Sequence, residues 1–199
     1  MLLDIVTPMS LKGTSLHISP NVVSVKGEDA RKFLHAILSA DIEGLKEKES
    51  TYSLLLSPAG KTMFAMIVHC VNDEDFLLLR ENDIHNSLSS SLQKFLIRTK
   101  AQIQDESKQF QAVISYSITA KDPLRESDHK IAANIFGDQR LNVILRNRML
   151  DGDKDDNDIY EALRISRGAI SVSKDLGDNS IAQEAGLDKS AISFNKGCF

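Results

Sequence analysis

The sequence predicts an α+β fold, on three observations. Strand-like and helix-like segments succeed one another without the regular alternation of a doubly wound sheet. A Pro–Gly turn joins two strand-like runs into a hairpin. Apolar residues make up 42% of the 199-residue chain, enough for a packed interior.

The elements follow in order. Residues 22–25 form a β-branched strand, and Gly27 separates it from a helix. In that helix Ala30, Phe33, Leu34, Ile37 and Leu38 recur at helical spacing, with Glu28 and Asp29 at the positive end of its dipole. Residues 52–56 read as a strand closed by Ser57-Pro58-Ala59-Gly60, residues 62–71 as the strand that returns, and residues 76–79 as a third. A second helix is expected from Asp83, with Ile84, Leu88, Leu92, Phe95 and Leu96 on one face. Beyond it, strands are expected at 110–118 and 141–145, with a polar loop at 151–158. Asp158 is expected to cap a helix over 159–167 that stops at Gly168, and residues 179–186 read as a short helical turn. The division expected is a first lobe at 1–109 and a second at 110–199, with strands able to interleave between them.

Bulk properties narrow the classes of function. The formal charge of −4 disfavours non-specific nucleic-acid binding, so no direct nucleic-acid partner is expected. Arg140, Arg146, Arg148, Arg164 and Arg167 leave open a local basic patch or simply solvated arginines. No run approaches the length of about 18 apolar residues that a membrane span needs, and the first residues lack a secretory signal pattern. No membrane partner and a cytoplasmic location are the expectation. Cys70 and Cys198 are too few for a disulfide framework.

Three motif look-alikes fail on their chemistry. Ser57-Pro58-Ala59-Gly60-Lys61-Thr62 resembles the end of a phosphate loop, but Leu55 stands where the first glycine is needed. Asp151-Gly152-Asp153-Lys154-Asp155 opens like a calcium loop, but Asp156 and Ala162 replace its glycine and closing glutamate. The histidines His17, His35, His69, His85 and His129 show no ligand spacing, so no metal is expected. A Gly-x-Ser-x-Gly nucleophile elbow is also missing.

The C-terminal third carries an ordered series. Tyr160-Glu161-Ala162-Leu163-Arg164-Ile165 and Gly168 are followed by Glu184-Ala185-Gly186-Leu187-Asp188 and Ile192-Ser193-Phe194-Asn195-Lys196-Gly197-Cys198-Phe199. Upstream lie Phe136-Gly137-Asp138-Gln139-Arg140 with Arg148, the segment Val25-Lys26-Gly27-Glu28-Asp29-Ala30, and Tyr52 with residues 54–61. This series resembles the YgfZ-like folate-binding, iron–sulfur cluster assembly branch of the glycine-cleavage T-protein (aminomethyltransferase) superfamily. Its Lys-Gly-Cys-aromatic signature is present to the fourth position at Phe199. The resemblance implies two small α+β lobes of the T-protein folate-binding type, with the C-terminal β-barrel lobe absent.

The same resemblance implies tetrahydrofolate or a folate derivative as cofactor. It suggests Tyr52 in the folate cavity and Arg164, Arg140 and Arg148 for the ligand's carboxylates, with Lys196 and Gly197 flanking a reactive thiol at Cys198. Residue chemistry leaves open a plainer reading in which Cys198 belongs to a frayed terminus and Cys70 is a small buried hydrophobe. The carboxylates expected of an aminomethyltransferase are replaced by Ala65 and Ser166. An alanine can neither move a proton nor stabilise a developing cation. The function implied is therefore a folate-binding accessory protein for iron–sulfur cluster assembly or repair, indirectly supporting tRNA modification. Iron–sulfur proteins or assembly factors would be its partners. The alternatives are an aminomethyltransferase-like one-carbon enzyme and an inactive truncated remnant.

Overall fold

A computed structural model describes residues 15–81, 87–115, 124–131, 142–147, 156–177 and 180–196. Two antiparallel sheets organise them. The larger runs β3 (Ser50–Leu56), β4 (Thr62–Asn72), β5 (Asp75–Arg80), β2 (Asn21–Lys26) and β6 (Gln102–Asp105) in spatial order. The smaller runs β1 (Leu16–Ile18), β7 (Phe110–Ser115), β9 (Asn142–Asn147) and β8 (His129–Ile131). β1 thus crosses from the N-terminal part of the chain to pair with β7, Leu16 opposite Ile114.

The larger sheet is buried on both faces, which explains why its central strands are apolar almost continuously. Alternate residues serve different cores because successive side chains point to opposite faces. Val23, Met66, Val68, Phe76 and Leu78 pack with helices α1 (Ala30–Ile37) and α2 (Leu88–Gln93). Val22, Ile67, Leu77 and Leu79 face the other way and meet Leu16, Phe110, Ile114, Val143 and Leu145 of the smaller sheet. A third cluster forms where Leu54 meets Ala182, Leu187 and Ala191 of the C-terminal segment.

The first hairpin, its turn and the first helix lie where the sequence puts them. The turn holds because the N–H of Ser57 donates to the Lys61 carbonyl at 2.9 Å and that of Gly60 to the Ser57 carbonyl at 2.8 Å. Those amides close a hairpin, as expected of the phosphate-loop look-alike. Asp29 does not cap α1 with its side chain; its Oδ2 instead accepts from the Lys100 N–H at 2.9 Å and anchors the approach to β6. Gly27 has φ +136°, and a Cβ there would lie 2.3 Å from the Lys100 carbonyl oxygen, so this crossing needs glycine.

Other boundaries shift. Helix α3 is Asn157–Ser166, with Asp156 rather than Asp158 at its N-cap. The reason is a pair of hydrogen bonds with His17, one from the backbone and one to the side chain of Asp156. The Asp156 N–H donates to the His17 carbonyl at 2.8 Å, while Asp156 Oδ2 accepts from the His17 N–H at 3.0 Å. Gly168, at φ +65°, ends the helix as expected. In the region expected to carry the second helix, α2 is capped by Ser87, whose side chain accepts from the Ser90 N–H; residues 82–86 are outside the described residues. The expected strands at 110–118 and 141–145 are described as β7 and β9, without residues 116–118 and 141. Of the short helical turn expected at 179–186, residues 182–185 form a 3-10 turn. β1, β6, β8 and the four-residue helices α4 (Val172–Asp175) and α5 (Asp188–Ala191) carry too little periodicity to be read from sequence.

Candidate functional site

Between the two sheets, where their shared core meets the C-terminal segment, lies a cavity of about 780 Å³. Its floor comes from β3, β4 and the end of β5, through Thr51, Tyr52, Ala65, Ile67 and Leu79. Ile114 and Val143 line it from the smaller sheet, and Ile18 and Pro20 from the link between β1 and β2. Tyr160 and Arg164 project from α3, and residues 168–174 with Gly186 and Leu187 complete the wall. The size, and a lining that sets apolar side chains beside hydroxyls and charged groups, suit a small organic ligand with polar edges.

Arg164 is buried, and an internal network holds it. Its Nε donates to Glu161 Oε2 at 3.0 Å, and the two terminal nitrogens reach Glu161 Oε1 at 2.6 Å and Asp175 Oδ2 at 2.5 Å. Further bonds go to the Ala169 carbonyl at 2.7 Å and Asp175 Oδ1 at 3.4 Å. A guanidinium has five N–H donors, and these contacts engage all of them. Lys174 adds a bond to Glu161 Oε2 at 2.7 Å. The Arg164 hydrogen bonds hold the Glu161 carboxyl far down, at about 2, and the Arg164 guanidinium is raised in return. Burial works against ionised Asp175, yet the Ser171 N–H and Arg164 keep its carboxyl below the usual range. The network staples α3 to the loop after Gly168 and so shapes one wall.

A second polar cluster sits beside it. Tyr160 donates its phenol to Glu81 Oε1 at 3.1 Å, and that oxygen lies 3.8 Å from Arg164 Nε. Burial and the Glu81 charge push the Tyr52 phenol up to about 12, and the same causes raise Tyr160. Both phenols therefore remain protonated donors at neutral pH.

Of the site residues expected from sequence, Tyr52 and Arg164 are brought together on this cavity. Lys196 is not among its lining residues. Its Nζ donates to the carbonyls of His35 and Leu38 at the end of α1, and burial lowers its affinity for the proton. Arg140, Arg148, Gly197 and Cys198 lie outside the described residues, as do most of the calcium look-alike and Arg140's neighbours. Ala65 lines the cavity, whereas Ser166 donates to the Leu163 carbonyl at 2.8 Å and does not line it.

Neither reading of the arginine group describes Arg146 or Arg164. Both are buried, Arg146 against Asp128 at 2.7 Å. Among the described residues no group of three or more His, Cys, Asp or Glu side chains is placed to hold a metal. No helix among them is long and apolar enough to cross a membrane. Cys70 is a fully buried thiol, in contact with Arg31 at 3.3 Å.

Sequence reasoning missed Glu81 and Tyr160 as site residues. A signal for Tyr160 was present, since it stands one helical turn before Arg164 on the same face. Glu81 had only a weak one, a charge that follows Arg80 just past the apolar run of β5.

Comparison with known proteins places this geometry. No protein-family model matches the chain. A protein of Haemophilus influenzae described as uncharacterized is 27% identical over 183 residues, covering 89% of this chain and 62% of its own length. An aminomethyltransferase of Staphylococcus haemolyticus is 26% identical over 88 residues, 44% of this chain and 24% of that enzyme. The chain therefore spans less than two thirds of the length of these relatives. The crystal structure of glycine cleavage system aminomethyltransferase T from Bartonella henselae superposes with a TM-score of 0.69 at 15% identity, over 92% of this chain and 58% of that one. The two-sheet α+β fold of this chain is the fold of that aminomethyltransferase T.

Proposed function

We propose that the chain binds tetrahydrofolate or a folate derivative between its two sheets and acts as a binding module. In this reading it is a cytoplasmic accessory protein of the YgfZ type for iron–sulfur cluster assembly or repair, indirectly supporting tRNA modification. The observation that carries the ligand class is the cavity itself. A slot of about 780 Å³, partly apolar and walled by Tyr52 and Tyr160, has the size for a flat heterocycle followed by a ring. The T-protein-like fold supports the same class. Ala65 on the cavity floor supports binding without aminomethyl transfer, since it offers no charge at that point. Cys198, with Gly197 and Lys196 beside it, is the thiol assigned to partner chemistry. Arg140 and Arg148 are assigned to the ligand's carboxylates through the resemblance alone.

Calorimetric titration with tetrahydrofolate tests the ligand. Heat of binding in the micromolar range is expected, weakened by Tyr52→Ala; no heat at about 500 μM would reject the ligand class. A Cys198→Ser variant that binds tetrahydrofolate normally but fails to support iron–sulfur enzymes in cells is the outcome expected for the accessory role. Equal support by both proteins would reject a role for the thiol.

One observation favours the second reading, a one-carbon enzyme. β4 and β5 pair with Ile67 opposite Leu79, and continuing that register sets Ala65 opposite Glu81, with both residues lining the cavity. A carboxylate is thus present one strand away from the alanine. Formation of methylene-tetrahydrofolate by the purified chain would support the enzyme.

A further inference from the structure

Glu81 is the one acidic residue lining the cavity among the described residues. Among the described residues its partners are the Tyr160 phenol at 3.1 Å and, more distantly, Arg164 at 3.8 Å, both on Oε1. An ionised carboxylate offers about four acceptor sites on two oxygens. Among the described residues most of that capacity is unused, in a cavity whose lining mixes apolar side chains with hydroxyls and charged groups. Leaving it unused costs more when a ligand fills the cavity and displaces water.

Complementarity then has a direction. Two adjacent acceptor oxygens match two adjacent N–H donors, the pattern on the amidine-like edge of a nitrogen heterocycle. The same carboxylate repels a ligand carboxylate. Arg164 does not offset this, because Glu161, Asp175 and the Ala169 carbonyl engage all its donors. The wall formed by Glu81 and Arg164 therefore selects a donor-rich, uncharged or cationic edge.

We infer that Glu81 anchors the N–H-bearing edge of the ligand's heterocycle and that the ligand's carboxylate end points away from Arg164. The inference rests on the folate reading and deepens it, because the 2-amino-4-oxo edge of a reduced pterin is such a donor face. It assigns the head of the ligand to Glu81, and it removes Arg164 from the residues that hold the tail.

Titrations with tetrahydrofolate, 6-methyltetrahydropterin and p-aminobenzoylglutamate, on the wild type and Glu81→Gln, test it. The exchange keeps size and turns one acceptor oxygen into a donor nitrogen. It is expected to weaken both pterin-containing ligands about tenfold or more, and to leave p-aminobenzoylglutamate unchanged. Tyr160→Phe, which removes the phenol and keeps the carboxylate, is expected to weaken them much less. Thermal unfolding of both variants shows whether they fold. If Glu81→Gln is folded and binds the pterin ligands as the wild type does, the anchor is overturned while the folate reading stands. If Glu81→Gln weakens all three ligands equally, head recognition is overturned as well. If the wild type binds none of the three, the folate reading fails and the assignment fails with it.

Discussion

Arg164 shows how a residue can line a site without being available to a ligand. Its five donors are spent on Glu161, Asp175 and the Ala169 carbonyl, so its role in this structure is to hold the wall. Arg164→Met should destabilise the fold by about 3–5 kcal/mol, because it strands carboxylates that a buried cation now pairs. Urea unfolding of the variant measures it. The Glu161 carboxyl, held at about 2, also has a pH signature. A depressed carboxyl contributes stability above its ordinary value of about 4.5, and that contribution is lost as pH falls through about 2. Glu161→Gln should flatten the stability profile in that window. The buried Arg146–Asp128 pair follows the same logic in the smaller sheet: Asp128→Ala should cost about 3–5 kcal/mol in the same unfolding measurement.

Histidines on facing strands join the two sheets. His69 of β4 meets His129 of β8 edge to face at 5.4 Å, and His69 Nδ1 lies 2.8 Å from Ser50 Oγ. Burial, with the neighbouring His129, lowers His69 to about 4; burial also lowers His129, against the pull of Asp75 and Asp128. A histidine depressed in the fold is neutral there while the unfolded chain takes up a proton. Stability is therefore full above about 6.5 and falls as pH drops from there towards 4, by an amount on the order of 3 kcal/mol for His69. His69→Gln should remove most of that slope in denaturant melts between those pH values. Edges and crossings give smaller, local effects. Asp156→Ala breaks the side-chain half of the exchange with His17, and a loss of about 1 kcal/mol with faster amide exchange in β1 is expected. Gly27→Ala should do far more damage, because its Cβ would meet the Lys100 carbonyl.

For the whole molecule, a ligand between the sheets couples them. Binding to the folded state alone adds RT ln(1 + [L]/Kd), about 2.7 kcal/mol at a hundredfold excess over Kd. For a chain of this size that corresponds to an upward shift in Tm of about 5–10 °C with tetrahydrofolate. Differential scanning calorimetry measures it, and Glu81→Gln should reduce the shift at equal ligand concentration.

Much of this architecture is legible in the residues. The apolar runs of β2, β4 and β5, the Pro–Gly turn and the helical spacing from Ala30 to Leu38 are local patterns. The ordered series around Arg164 pointed to the T-protein fold that the superposition on aminomethyltransferase T shows. Short strands such as β1 and β8 were not legible, because three residues carry no period and their pairing is set by partners far along the chain. The site divides the same way. Tyr52 and Arg164 were named from sequence, but Glu81 was not, since an Arg80-Glu81 pair at a strand end says nothing until a helix from residue 157 onward folds over it. Local patterning determined the elements and the fold class. Tertiary structure alone decided which charges are spent on one another and which face the cavity: the chain must fold back after Gly168 to bring Asp175 to Arg164, and Tyr160 reaches Glu81 from 79 positions away.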